Sequence, residues 1–162
     1  MSTQNMNPVS YSDLFDYKDG KLFWKRSHGR VKAGDEAGYL CANGRRYVRA
    51  NGKLRFLHRV IWEMHHGECP EFLDHIDGNP LNNRIENLRP ATKQQNAQNR
   101  KVRRTNKLKT KGVQVRGAKF AAYIWVDKQQ KYLGTFETIN EAGDAYMSAA
   151  RKHHKEFATC RL

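Results

Sequence analysis

Twelve consecutive residues, Arg100 to Lys111 (RKVRRTNKLKTK), constrain the fold of this chain more than any other feature. Seven of them are cationic and only Val102 and Leu108 are apolar, so the segment has no face of its own to bury. A continuous core cannot run through it. The 162 residues are therefore read as two small modules, about 11–99 and 111–158, joined by a basic linker over 100–110. Fully extended, that linker reaches roughly 36 Å at ~3.3 Å per residue.

The linker belongs to a wider charge anomaly. The net charge is +14, yet residues 1–86 hold 13 basic against 11 acidic side chains, and residues 127–162 hold 6 against 5. Residues 87–126 carry 11 cations and no carboxylate. A solvated surface mixes signs, whereas a long acid-free stretch has the composition of a surface that follows phosphates. Nucleic acid is the expected partner. Arg100, Lys101, Arg103, Arg104, Lys107, Lys109, Lys111 and Lys119 are the expected phosphate contacts. No membrane partner is expected: the longest apolar run, Phe120 to Val126, is seven residues, and Met1 to Ser10 has no apolar leader core. Cys41, Cys69 and Cys160 form no CxxC pair, which excludes a cysteine-rich zinc ribbon and argues for reduced thiols in a cytoplasmic setting.

In the first module, Lys21–Lys25, Gly38–Ala42, Arg46–Ala50 and Lys53–Leu57 read as strands. Asp19-Gly20, Asn43-Gly44 and Asn51-Gly52 supply turn signals. Arg59–His66 reads as a short helix closed by Gly67, with His65 and His66 in its last turn and His58 as packing support at its start.

The chemistry concentrates in Leu73 to Arg100. Asp74-His75 is followed by Asn87 twelve residues after the histidine and by Asn96 nine further on. Leu73–Ile76 and Asn87–Pro90 can pair as strands around a polar loop, Asp77–Glu86. Thr92 and Gln95 fit a capping box that opens a short helix, Lys93–Asn99. Strand, strand and helix would gather Asp74, His75 and Asn96. An aspartate and an asparagine oxygen are hard ligands suited to a hydrated Mg²⁺. A neighbouring imidazole can take a proton from an attacking water. The bland alternative is an Asx-rich turn with a satisfied histidine.

These residues, with Tyr17–Lys25, Leu57-His58-Arg59, Asp74–Asn79, Asn82-Asn83 and Asn87-Leu88-Arg89, resemble the HNH (ββα-metal) homing endonucleases of bacteriophages over roughly residues 11–100. The resemblance implies His75 as general base, Asn87 as the residue that orients it through the hairpin, and Asp74 and Asn96 as ligands of one divalent metal ion. That ion would be Mg²⁺, with Mn²⁺ as the alternative. The third motif position is Asn96 and not histidine, and Asn99 is the alternative ligand.

In the second module, Gly112–Arg116, Lys119–Val126 and Lys131–Phe136 read as three strands, and Thr138 with Glu141 caps a helix, Ile139–His154. Ala142, Ala145, Tyr146 and Ala149 would face Ala122, Ile124 and Val126, leaving Tyr123 and Trp125 outward. Gly112-Val113, Lys119–Ala122, Leu133–Thr138, Glu141-Ala142 and Ala145-Tyr146 resemble the plant APETALA/ethylene-response-factor DNA-binding domain. That resemblance assigns groove contacts to Gln114, Arg116, Tyr123, Trp125 and Tyr132.

The expectation is thus an α+β protein: an HNH nuclease module, a phosphate-following linker, and a three-stranded antiparallel sheet on one helix that reads double-stranded DNA. It would act as a monomeric, site-selective, metal-dependent endonuclease in the cytoplasm of a phage's bacterial host. A DNA-binding regulator that has lost cleavage, and a weakly specific phage nuclease, are the alternatives.

Overall fold

The computed structural model describes residues 9–102 and 105–158. Arg103 and Arg104, two of the expected phosphate contacts, lie outside the described residues, as does Cys160. The chain forms two compact units that divide between Ala91 and Thr92. The short helix after Thr92 therefore groups with the second unit, although charge and motif spacing place it at the end of the first module.

In the first unit, helix α1 (Tyr11–Leu14), capped by the Ser10 hydroxyl, runs into strand β1 (Phe15–Lys18), which pairs with β2 (Lys21–Trp24). Asp19 and Gly20 join them at φ 50° and 79°, the two left-handed residues of a tight hairpin turn. Strand β3 (Glu36–Ala37) adds to β2. Strands β4 (Tyr39–Leu40), β5 (Arg46–Ala50) and β6 (Lys53–Phe56) form a second antiparallel sheet. The expected single strand Gly38–Ala42 is corrected here. Gly38, at φ 91°, turns the chain from one sheet to the other, and a Cβ on it would lie 2.6 Å from the Tyr47 carbonyl oxygen.

Helix α2 (Leu57–His66) starts two residues before the expected Arg59 and ends at Gly67, φ 82°. Strands β7 (Leu73–His75) and β8 (Leu88–Pro90) pair antiparallel in the register Leu73–Pro90, Asp74–Arg89, His75–Leu88. One core joins β1, β2, β3, β5, α2, β7 and β8: Phe15, Leu22, Ala37, Val48, Ala50, Leu57, Val60, Ile61, Leu73 and Leu88 are buried together. Burying an aliphatic or aromatic side chain of this size contributes ~1.5–3 kcal/mol, and that packing fixes the β7–β8 hairpin to α2.

The second unit opens with helix α3 (Lys93–Gln98), whose Thr92–Gln95 capping box is complete in both directions. The helix stops one residue short of the expected Asn99, which is its C-cap. Strands β9 (Val113–Arg116), β10 (Lys119–Val126) and β11 (Gln129–Phe136) form an antiparallel sheet in the order β11-β10-β9. Asp127 and Lys128, at φ 50° and 65°, make a two-residue turn, so β11 begins at Gln129 and not at Lys131.

Helix α4 (Ile139–His154) carries the Thr138–Glu141 capping box. Its Ala142, Tyr146 and Ala150 are buried with Val113, Ala122, Ile124 and Val126. Ala145 and the expected Ala149 are only half-buried; Ala150 takes the fully buried place.

The linker also departs from its extended reading. The Asn106 amide donates to the Thr110 carbonyl at 2.8 Å and its oxygen accepts from Leu108 N at 3.0 Å. This turn docks Leu108 on the Val113–Ala122–Ala142 cluster. No helix among the described residues is long and apolar enough to cross a membrane.

Candidate functional site

The β7–β8 register places Asp74 opposite Arg89, a pairing of opposite charges across the hairpin. Asp74 Oδ2 accepts from Arg89 Nε at 3.1 Å and lies 3.0 Å from Nη2, with both side chains largely buried. The guanidinium thereby fixes the carboxylate against the strand.

His75 is the next residue and is 6% exposed. Its Nε2 lies 3.0 Å from Asn83 Oδ1, and an amide oxygen only accepts, so the proton of this bond sits on Nε2. The His58 ring packs edge-on against the His75 ring, with centroids 4.9 Å apart at 61°. Burial, reinforced by the charges of His75, Arg45 and Arg59, pushes the His58 imidazole down from 6.5 to about 3. Burial also lowers His75, against the opposing pull of its Asn83 hydrogen bond. A neutral imidazole is the form able to accept a proton.

Asn87 closes the loop that follows. Its Nδ2 donates to Asp77 Oδ1 at 2.9 Å and to the Asn82 carbonyl at 2.8 Å; its Oδ1 accepts from Asp77 N at 2.9 Å. Its backbone carbonyl accepts from Ile76 N at 2.8 Å. The side chain thus pins the residues immediately after His75. Asp77 also accepts from Asn82 Nδ2 and Asn79 N, both at 2.7 Å. Burial works to raise this carboxyl, but those hydrogen bonds outweigh it and hold Asp77 below the usual carboxylate range.

Asp74, His75 and Asn87 therefore share one hairpin of the first unit. Asn96 is half-buried on α3 and belongs to the second unit, as does the buried Asn99. Among the described residues no group of three or more His, Cys, Asp or Glu side chains converges on a cation position. Helix α2 disposes of two further histidines: His65 Nδ1 and His66 Nδ1 lie 2.8 and 3.2 Å from the Ile61 and Trp62 carbonyls of the preceding turn.

In the second unit, strand alternation and register put Gln114, Arg116, Lys119, Tyr123, Trp125 and Tyr132 on the sheet face opposite Ala122, Ile124 and Val126. Trp125 is 60% and Tyr132 55% exposed. The Tyr132 hydroxyl bonds Thr135 Oγ1 at 2.7 Å, and Lys119 pairs with Glu137. Arg100, Lys101, Lys107 and Lys109 are exposed, and Lys111 Nζ donates to the Gln98 carbonyl at 2.9 Å. A groove of about 840 Å³ in this unit is lined by Lys93, Arg100, Lys101, Lys111, Tyr123 and Trp125 among others.

Spacing alone missed the roles of Asn83, Asp77 and Arg89. The opposite charges at paired positions 74 and 89 are a sequence signal for the last. The dense run of Asp and Asn after His75 is a signal for a side-chain-bonded loop, though not for which member reaches the imidazole.

Residues 55–98 match the HNH endonuclease family, so this chain carries an HNH endonuclease domain there. Protein 3.8 of Escherichia phage T7 is 41% identical over 58 residues, which is 35% of this chain and 48% of that protein. The chain thus spans about half the length of this curated phage relative. No solved structure matches.

Proposed function

We propose that the protein is a site-selective, metal-dependent DNA endonuclease of the homing type. The observation that carries this reading is the buried, hydrogen-bonded His75, beside Asp74 and above an Asn87-closed loop, within the stretch that matches HNH endonucleases. His75, neutral through burial, takes the proton from a water that attacks a DNA phosphorus. Asn87 holds the backbone after His75 so that the imidazole keeps one orientation. Asp74 and Asn96, both inside the matched stretch, would hold one divalent ion. A single buried carboxylate and one amide oxygen are hard donors that fit Mg²⁺ or Mn²⁺ with solvent and phosphate oxygens, and they do not fit a zinc cage. Bound there, the ion supplies stabilisation of charge on the phosphate and on the departing sugar oxygen.

The basic segment Arg100–Lys111 follows the backbone. The outward face with Gln114, Arg116, Tyr123, Trp125 and Tyr132 reads the duplex in the manner of an APETALA-type sheet. Support comes from the acid-free charge of 87–126 and from exposed aromatics on a small sheet. Incubation with a randomised double-stranded DNA library and Mg²⁺, followed by sequencing of the ends, tests the reading. A short set of shared end sequences is expected. Ends spread over all sequences would leave a weakly specific nuclease, and no ends would leave a binding protein.

A further inference from the structure

We infer that Asn83 is the positioning residue for the His75 imidazole, and that the β1–β2 turn holds it in place. The inference rests on the assignment of His75 as general base. Asn83 is 2% exposed, a rare state for an uncharged amide unless its hydrogen bonds are met inside the protein. Its Oδ1 lies 3.0 Å from His75 Nε2, and its Nδ2 donates to the Leu81 carbonyl at 3.4 Å. Turning the amide over would set oxygen against the Leu81 oxygen and remove the acceptor from His75, so the two contacts agree on one orientation. An acceptor at Nε2 selects the Nε2–H tautomer. The lone pair that takes a proton is then on Nδ1, and the ring is held by the Asn83 contact and by packing against the His58 ring.

The loop bearing Asn83 is held from outside by a distant part of the chain. A Cβ on Gly20 would fall 2.9 Å from the Asn83 carbonyl carbon and 2.7 Å from Arg84 N, so the β1–β2 turn lies against the peptide bond that follows Asn83. Arg84 Nη2 is 3.6 Å from the Asp19 carboxylate, and the Tyr17 hydroxyl accepts from Ile85 N at 3.0 Å. One hairpin thus touches three consecutive residues, 83 to 85. A loop that merely connected two strands would not need a partner from the other end of the unit. A loop that must present an amide oxygen to an imidazole does.

The test reads the His75 tautomer directly, by ¹⁵N chemical shifts of histidine-labelled full-length protein at neutral pH, with and without substitution. Wild type is expected to show Nε2 protonated and Nδ1 unprotonated. Asn83→Leu, close in size but without an acceptor, is expected to mix the tautomers and to slow DNA cleavage about 10–100-fold, with DNA affinity kept. Asn83→Asp restores an acceptor and is expected to keep the Nε2–H tautomer and most of the rate. An Nδ1–H tautomer in wild type overturns the inference. So does a folded Asn83→Leu protein with wild-type tautomer and rate. If that variant does not fold, the wild-type and Asn83→Asp spectra still decide. Undiminished cleavage by His75→Ala would instead remove the base assignment and leave the tautomer result standing.

Discussion

The loop after β7, polar in sequence, and the outer face of the β9–β11 sheet, which mixes Gln114 and Arg116 with exposed aromatics, are built in opposite ways. In the loop, side chains bond inward: Asp77, Asn79, Asn82 and Asn87 spend their polar groups on the loop itself, and Asn83 divides its own between Leu81 and His75. On the sheet, the ladder is satisfied by backbone alone, and Trp125, Tyr132, Gln114 and Arg116 are left facing solvent. The first arrangement fixes the His75 imidazole and is costly to disturb. The second leaves side chains exposed and tolerates change in the free protein. Substitutions in the loop should therefore lower both stability and cleavage. Those on the sheet face should alter recognition alone.

The largest loss of the folded state is expected for Asn87→Ala. It removes three side-chain hydrogen bonds and leaves Asp77 and Asn82 partners unmet, each costing ~1–3 kcal/mol. Chemical denaturation should show a drop of several kcal/mol, with cleavage lost; a stable, active variant would show that the loop is not organised by its side chains. Gly20→Ala is next. It adds a Cβ against Asn83 and Arg84 backbone at φ 79°, and strain of this kind costs ~1–3 kcal/mol. Stability and cleavage should fall together, and an unchanged cleavage rate would separate the turn from the site.

Much of this contrast was legible in the sequence where it depends on neighbours along the chain. The Asn51-Gly52 turn, β5, β10, the full length of α4 and both capping boxes follow from residues within a few positions of each other. Asp74, His75 and Asn87 could be placed on one hairpin for the same reason. What could not be read is set by register and by contacts across the unit. Asn83 reaches His75 because the loop folds back. Gly20 meets residue 84 from the other end of the first unit. Gly38 turns the chain between two sheets, so only Tyr39 and Leu40 of the expected strand Gly38–Ala42 pair. Leu108 gives an otherwise polar linker an anchor, because a buried cluster lies within its reach.

A separate effect, on the pH response of stability, comes from His58. Above its ordinary pKa of 6.5 both folded and unfolded chains hold it neutral, so its contribution is fully present. Below that, the unfolded chain takes up a proton that the buried ring refuses until about pH 3, and stability declines through this window by up to ~1.4 kcal/mol per pH unit. Thermal melts from pH 7 to 4 should show a shallower decline for His58→Gln than for wild type; identical slopes would remove the buried imidazole from the pH response.

On the sheet side the effects on the free protein are smallest. Trp125→Ala should change stability by no more than ~0.5 kcal/mol, as for other exposed positions, while changing preference among DNA sites. Arg100→Ala with Lys101→Ala should weaken binding to all sequences alike and flatten the salt dependence by up to about two units in log–log slope. A large stability loss at Trp125, or an unchanged salt slope, would erase the distinction between the two regions.

The central claim is that a fixed imidazole in the first unit performs the chemistry and contributes little to holding DNA. Cleavage and binding measured side by side for wild type and His75→Ala, with Mg²⁺ and with EDTA, test it most directly. The account predicts metal-dependent cutting by wild type, a loss of ~10²–10⁴ in rate for His75→Ala, and DNA affinity within a few-fold of wild type. Near-normal cutting by His75→Ala, or full wild-type activity in EDTA, would contradict it.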